Sequence, residues 1–406
     1  MRVLYITQWF DPEPNVIKGP EFVRALERAG HQVTVLTGFP NYPTGKIYPG
    51  YRLRLYQRET VDGVAIRRVP LYPSHSRSSI GRALNFLSFF LSVLVYGILK
   101  GGRYDVAYVY HPPITVGLAA ALFGPVRRLP YILEIQDLWP DTVMESGMAG
   151  SSSIGTILKS LCAFVYRRAV RIIVQSKGIE AILRERGVPE SKMAVIHNWA
   201  DETAIAKPTA NVSTQFGFEK QFSFVYGGNL GRMQALDQLI RAAKMAADSG
   251  GKFELLIFGD GVDAERLHRL KREIIATNVR FHSRVSRQEA RNIFSAADVL
   301  VLHLADKDLL AATIPSKIQF YLACGKPILA GVRGEAADIL KDAGAALVVP
   351  PENVASLAHA MITMSLMKKT ELVSMGKKGS LYYKNRLSFE AGISKTLDVI
   401  NSIDAI

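Results

Sequence analysis

The chain has 406 residues, enough for two domains that each bury a full core. Its 48% hydrophobic and 21% charged content excludes a disordered chain, and two cysteines, Cys162 and Cys324, exclude a disulfide framework and suit a reducing cytoplasm. The net charge of +14 is uneven: residues 1–199 carry 24 Lys and Arg against 14 Asp and Glu, so an anionic partner is expected at that half.

The sequence shows no basic recognition helix and no aromatic RNA-binding strand, so nucleic acid is set aside in favour of a phosphate-bearing lipid or an anionic membrane surface. No run of His and Cys has ligand spacing, and no metal is expected.

From Met1 the pattern is a short apolar strand, a turn and an amphipathic helix, repeated. The start reads as a strand, Val3–Thr7, rather than a leader. Strands follow at Gln32–Thr37, Val64–Val69, Val106–Tyr110, Tyr131–Ile135, Arg171–Val174 and Met193–Ile196. Between them the spacing predicts helices at Gly19–Ala29, Ser79–Lys100, Thr115–Phe123, Ile154–Arg168 and Gly178–Arg186. The strands are nearly continuous Val, Ile, Leu and Tyr, as in a parallel sheet covered on both faces.

Within the second of these helices, Ala83–Leu99 reads ALNFLSFFLSVLVYGIL between Arg77, Arg82, Lys100 and Arg103. A core helix, a helix lying in a membrane interface with Phe89, Phe90 and Leu94 on its outer face, and a membrane span all remain open.

A polar stretch, 201–219, reads as a linker, and the alternation then restarts. Strands fit Phe222–Tyr226, Phe253–Phe258, Val279–His282, Val299–Leu302, Pro327–Ala330 and Ala345–Val348, with helices Ala235–Asp248, Ala264–Ile275, Arg287–Ala296, Ser316–Cys324, Glu335–Asp342 and Val354–Met367 between them. The expected domains are 1–200 and 220–385, with a last helix in 386–406 packing back on the first. Two Rossmann-like doubly wound α/β domains facing across a cleft would bind ligands beyond the carboxyl ends of their strands.

Four loops carry the candidate chemistry. Gly19 opens a helix after the first strand, where backbone can approach a phosphate, but no Gly-x-Gly-x-x-Gly of a dehydrogenase is present. His111-Pro112-Pro113 puts a histidine at a strand end. Tyr226-Gly227-Gly228-Asn229-Leu230-Gly231-Arg232 joins close backbone to a cation suited to a pyrophosphate. Pro315-Ser316-Lys317 starts a helix whose free N–H groups and lysine favour an anion, and Gly325 and Pro327 end it.

Together these residues resemble the retaining glycosyltransferases of family 4, whose two-Rossmann architecture is called GT-B. The similarity includes Gly30-His31-Gln32-Val33-Thr34-Val35, the His111 loop, Ile196-His197-Asn198-Trp199, the Gly227–Arg232 loop and Pro315–Pro327. Phe39-Pro40-Asn41-Tyr42-Pro43 and Gln136-Asp137-Leu138-Trp139-Pro140-Asp141 look like a subgroup that builds O-antigen and capsule, including transferases of fucosamine-type sugars.

The resemblance implies metal-independent transfer, with retention, of an N-acetylated hexosamine or deoxyhexosamine. The donor would be a nucleotide-sugar, expected to be UDP-linked, and the acceptor a lipid-linked saccharide at the inner face of a bacterial membrane. It assigns the donor diphosphate to Gly19, Gly228, Asn229, Arg232, Ser316 and Lys317, and an orienting or polarising role on the donor sugar to His111. Asp137 is the second polar candidate, equally a helix cap, and Asn41, Tyr42 and Trp139 are acceptor contacts.

The family's Glu-x7-Glu is absent: its two positions fall on Ala312 and Phe320. Gln319 is the nearest amide to take over the ribose. A nucleotide-sugar epimerase of the same architecture and a non-catalytic sugar-nucleotide-binding subunit are the rival readings.

Overall fold

The computed structural model describes residues 1–15, 17–74, 79–111, 113–145, 152–202, 218 and 221–403. Of the expected linker, only Asp201, Glu202 and Phe218 fall among them, and Arg77 lies outside. The chain forms two compact units, Met1–His197 with Ile393–Ile406, and Asn198–Gly392. The final helix, Phe389–Asn401, starts in the second unit and ends in the first.

The first unit holds eight strands: β1 Arg2–Ile6, β2 Gln32–Gly38, β3 Gln57–Val61, β4 Val64–Val69, β5 Val106–His111, β6 Tyr131–Ile135, β7 Arg171–Val174 and β8 Met193–Val195. They lie in the order β3-β4-β2-β1-β5-β6-β7-β8, all parallel except β3. That strand was not expected. It pairs antiparallel with β4 through Asp62-Gly63, both at positive φ (49° and 86°), the backbone a two-residue hairpin demands.

Helices cover the sheet because the strands bury both faces; Val3, Leu4, Tyr5, Ile6, Ile132 and Leu133 are fully enclosed. Local signals set the helix starts. Pro20 opens Pro20–Arg28, and the Ser176 hydroxyl accepts from the Ile179 N–H (3.1 Å) to cap Lys177–Glu185.

Helix Ser79–Lys100 is part core and part open surface. Asn85, Phe89, Val93 and Tyr96 are buried, and Gly97 lies so near the Phe123 ring that a Cβ would meet it at 2.3 Å. Leu84, Leu87, Leu91, Val95 and Ile98, spaced three or four apart, are exposed along the opposite stripe. The segment Ile80–Arg103 is long and apolar enough to cross a membrane, but one face is built into the first unit. Phe89, expected on the outer face, belongs to the core, because it falls on the stripe that packs inward.

The second unit has six parallel strands: β9 Phe222–Gly227, β10 Phe253–Phe258, β11 Val279–His282, β12 Val299–His303, β13 Ile328–Gly331 and β14 Ala346–Val349, in the order β11-β10-β9-β12-β13-β14. Neighbour direction reverses between β1 and β5 in one sheet and between β9 and β12 in the other. Loops leaving those strand pairs diverge, so each unit opens a crevice there.

Helix Lys369–Arg386, polar enough to escape the periodicity reading, packs on Ser316–Ala323 through Gly376 and Gly379. A Cβ at Gly376 would stand 2.0 Å from the Gly325 carbonyl oxygen. The absent side chain lets the two backbones touch just past the end of Ser316–Ala323.

Candidate functional site

In the second unit the reversal point brings together the loop after β9 and the helix that follows β12. Gly228 has φ 144°, and a Cβ there would sit 2.7 Å from Lys317 Nζ, so only glycine leaves room for the lysine. Lys317 Nζ lies 3.8 Å from the centre of the Tyr226 ring. Among the described residues it has no carboxylate or hydrogen-bond partner, and burial pushes its pKa down to about 7. A half-buried ammonium held against glycine and a ring face is a seat for an incoming anion.

The glycines themselves donate little. The N–H groups of Gly228, Leu230 and Gly231 are taken by Phe258 O, Asp260 O and Gln234 Oε1 (2.9, 2.9 and 3.1 Å). Gly259 abuts the Gly228 carbonyl, and Gly261 abuts that of Leu230. The two loops therefore form one close-packed wall. That leaves the N–H of Asn229, and those of Ser316 and Lys317 in the first turn of Ser316–Ala323, without an acceptor among the described residues.

Arg232 is exposed and has no carboxylate partner among the described residues. Its short turn, Arg232–Gln234, is fixed by a residue the sequence reading missed. Buried His303, at the end of β12, has Nδ1 2.9 Å from the Gln234 carbonyl oxygen, while the Glu352 N–H donates to Nε2 (3.1 Å). These two contacts place the imidazole proton on Nδ1.

Beside Gly228 lies a cavity of about 360 Å³ walled by Phe258, Val285, Ile293 and Phe294, with Asn229, Asp260 and Arg284 at its polar edge. Its apolar body with a few polar groups suits a planar ring attached to a charged tail.

Gln319 does not take the place expected for it. It is buried, and its amide nitrogen donates to Pro315 O (3.0 Å) and Ser316 O (3.1 Å), closing its own helix turn. Phe320, at the position of the missing carboxylate, packs edge-on to the cavity residue Phe294 (5.8 Å).

In the first unit, His111 ends β5 opposite Ile135, and its side chain lies outside the described residues. Asp137 is exposed just beyond β6, and its charge reaches the Tyr110 hydroxyl. The helix that follows begins at Asp141, so Asp137 is not its cap.

Asn41 is not an open contact. It is buried, its amide donating to Phe39 O (2.9 Å) and its N–H to Glu13 Oε1 (2.7 Å). Tyr42 packs on Trp9 (5.1 Å) and Trp139 on Phe86 (6.3 Å), both rings part-exposed. At Gly19 a Cβ would stand 2.2 Å from the Asn15 carbonyl oxygen, so its own loop already requires glycine there.

The sequence reading also missed two acids here. Glu13 accepts from Phe10, Asn41 and Tyr42 N–H groups and so staples the loop after β1 to the loop after β2. Burial raises its pKa to about 7 against the pull of those donors. Glu134, on β6, forms a wholly buried ion pair with Lys18 (3.0 Å) and also accepts from Tyr108 and Gln136.

Residues 20–199 match the family of glycosyl transferase 4-like domains, and residues 210–381 match glycosyl transferases group 1. The chain belongs to the glycosyltransferases of GT-B architecture. It is 26% identical over 378 residues to the putative colanic acid biosynthesis glycosyl transferase WcaI of Escherichia coli, covering 87% of this chain and 89% of that protein. It is 25% identical to a GDP-mannose-dependent alpha-mannosyltransferase of Mycobacterium tuberculosis, over 88% of both chains. Among solved structures, Anabaena HepE in complex with UDP and glucose shares the fold with a TM-score of 0.67. Its identity is 14%, covering 99% of this chain and 100% of that one.

Proposed function

We propose that this glycosyltransferase moves a sugar, with retention and without a metal, from a UDP-linked donor to a lipid-linked glycan during bacterial surface polysaccharide synthesis. The sugar proposed is an N-acetylated hexosamine or deoxyhexosamine. The observation that carries the reading is Lys317, an ammonium without a partner among the described residues, over Tyr226 beside Gly228 at the reversal point of the second sheet.

In sugar transfer from such a donor, negative charge grows on the departing diphosphate. Lys317, the first-turn N–H groups and Arg232 stabilise it. The phosphate then takes the acceptor's proton, and His111 orients or polarises the sugar. WcaI bears on the polysaccharide and HepE on UDP. The relatives named are transferases, which favours transfer over epimerisation.

The purified chain with a UDP-sugar and a lipid-diphosphate saccharide should release UDP and extend the acceptor. His111→Ala should lower turnover by roughly 100-fold or more with nucleoside diphosphate affinity nearly intact. Epimer formation without an acceptor, or tighter binding of GDP than UDP, would overturn the corresponding part.

Helix Ser316–Ala323 offers the ribose no carboxylate and no free amide, because Gln319 is spent within it and Phe320 lies against Phe294. Strong rejection of an analogue requires a buried group left unpaired when the hydroxyl is missing. UDP and 2′-deoxy-UDP are therefore expected to bind within about threefold of one another by calorimetry. A hundredfold preference for UDP would show that another acid grips the ribose.

The membrane reading rests on the first unit. No Asp or Glu occurs between Gly63 and Tyr104, a stretch that holds Arg67, Arg82, Lys100 and Arg103 besides the buried Arg68, which is paired with Glu59, and the exposed Leu84–Ile98 stripe lies within it. Cations beside an apolar stripe suit reversible docking on an anionic leaflet, at the cytoplasmic face where a lipid-linked acceptor would reside.

A further inference from the structure

The exposed stripe does not stand alone. In the segment Tyr51-Arg52-Leu53-Arg54-Leu55-Tyr56, which the sequence reading passed over, Arg52 to Tyr56 are exposed, Leu55 to 89% and Leu53 to 48%. Tyr56 stacks on Tyr96 of helix Ser79–Lys100 (6.2 Å between centres), which brings segment and helix side by side. Between them runs a groove of about 470 Å³ walled by Leu55, Tyr56, Val69, Leu91, Val95 and Leu99.

The groove makes few polar demands. The Ser92 hydroxyl is spent on the Pro70 carbonyl (2.6 Å), and the Tyr96 hydroxyl pairs with that of Tyr104 (2.8 Å). Among the described residues, Lys100 is the one charged side chain in the lining. Exposed Arg103 follows it in the chain, and Arg52 and Arg54 are exposed on the segment that forms the other wall.

We propose that this groove holds one hydrocarbon chain of an anionic lipid, with the headgroup phosphate at Lys100. The inference rests on the membrane reading above. Leu91, Val95 and Leu99 are exposed on the helix surface and also wall the groove, so a leaflet lying on the helix opens directly into it. The charge sign selects the lipid class: apolar walls take the chain, and Lys100 in the lining, with exposed arginines on the flanking segments, favours a headgroup of net negative charge over a zwitterionic one. Bound this way, the lipid would be held by the first unit rather than merely lying beneath it.

The test uses the full chain and two probes: vesicles of equal phosphatidylglycerol and phosphatidylcholine, and dihexanoyl-phosphatidylglycerol below its micelle concentration. Val95→Trp fills the groove from the helix and Leu55→Trp from the segment. Both positions are more than half exposed, so the fold should tolerate them. The wild type should sediment with the vesicles at low salt and bind the short-chain lipid. Each variant should lose at least tenfold in short-chain affinity, and Leu55→Trp, which lies outside the docking stripe, should sediment within twofold of wild type.

Equal short-chain binding by wild type and both variants would overturn the groove while leaving the docking reading intact. Equally tight binding of dihexanoyl-phosphatidylcholine would overturn the anionic headgroup. A wild-type dimer that either variant dissociates would replace the lipid with a second copy of the chain. Absence of vesicle sedimentation with groove-dependent lipid binding retained would overturn docking and keep the groove.

Discussion

Replacing Lys317 by Ala is expected to weaken nucleoside diphosphate binding by roughly 10- to 150-fold, the equivalent of about 1.5–3 kcal/mol for hydrogen bonds to a charged group. The pH dependence makes the test specific. In the unliganded protein, burial without a counter-charge holds the ammonium near pKa 7, well below that of a free lysine. A bound diphosphate favours the charged form and raises the pKa again. Above pH 7 binding must therefore take up a proton, and affinity should fall with rising pH by at most tenfold per unit.

Calorimetry at pH 8 in two buffers of different ionisation enthalpy should show uptake approaching one proton per diphosphate, an uptake that Lys317→Ala abolishes. Arg232→Ala should weaken binding with the proton uptake unchanged, because a guanidinium stays charged throughout. Wild-type affinity and unchanged uptake in Lys317→Ala would remove the site.

Much of this arrangement was legible in the sequence because it rests on local signals. Strands such as Phe253–Phe258 and Val299–His303 announce themselves by nearly continuous apolar runs, and the site lysine by a helix-initiating Pro-Ser before it. Polar elements escaped. β3, QRETV, lies at a sheet edge where alternation is weak, although the Asp62-Gly63 hairpin signal stood beside it. Helix Lys369–Arg386 is nearly polar all round, with its two contact glycines hidden among lysines.

Side-chain direction was the other gap. Gln319 and Asn41 carry the right chemistry at plausible positions, yet each spends its amide on its own local backbone, as short-range polar side chains often do. His303 and Glu134 sit inside apolar strands, VLVLH and YILEI, and only the fold shows which distant backbone or cation makes their burial tolerable.

The pairing of Lys18 with Glu134 leads to the second large expected effect. Both side chains are 1% exposed, 3.0 Å apart, at the β1–β5 reversal point of the first sheet. The Lys18 ammonium also lies 4.3 Å from the Phe22 ring centre, and Tyr108 and Gln136 donate to the carboxylate. Burial lowers the lysine's pKa and the carboxylate opposes that shift, so each charge is tolerable because the other is present. Lys18→Met or Glu134→Gln should each destabilise the protein by about 3–5 kcal/mol, the usual cost of stranding one member of a buried pair. The double variant should cost less than the sum of the two, since no unpaired charge then remains. Urea denaturation, following the first unit's transition, gives all three values. Additive losses would mean that the two side chains act as independent packing groups. A loss under about 1 kcal/mol in both single variants would mean that water or a shifted pKa already relieves the pair, and that the lysine does not need Glu134 to hold the loop between β1 and helix Pro20–Arg28 in place.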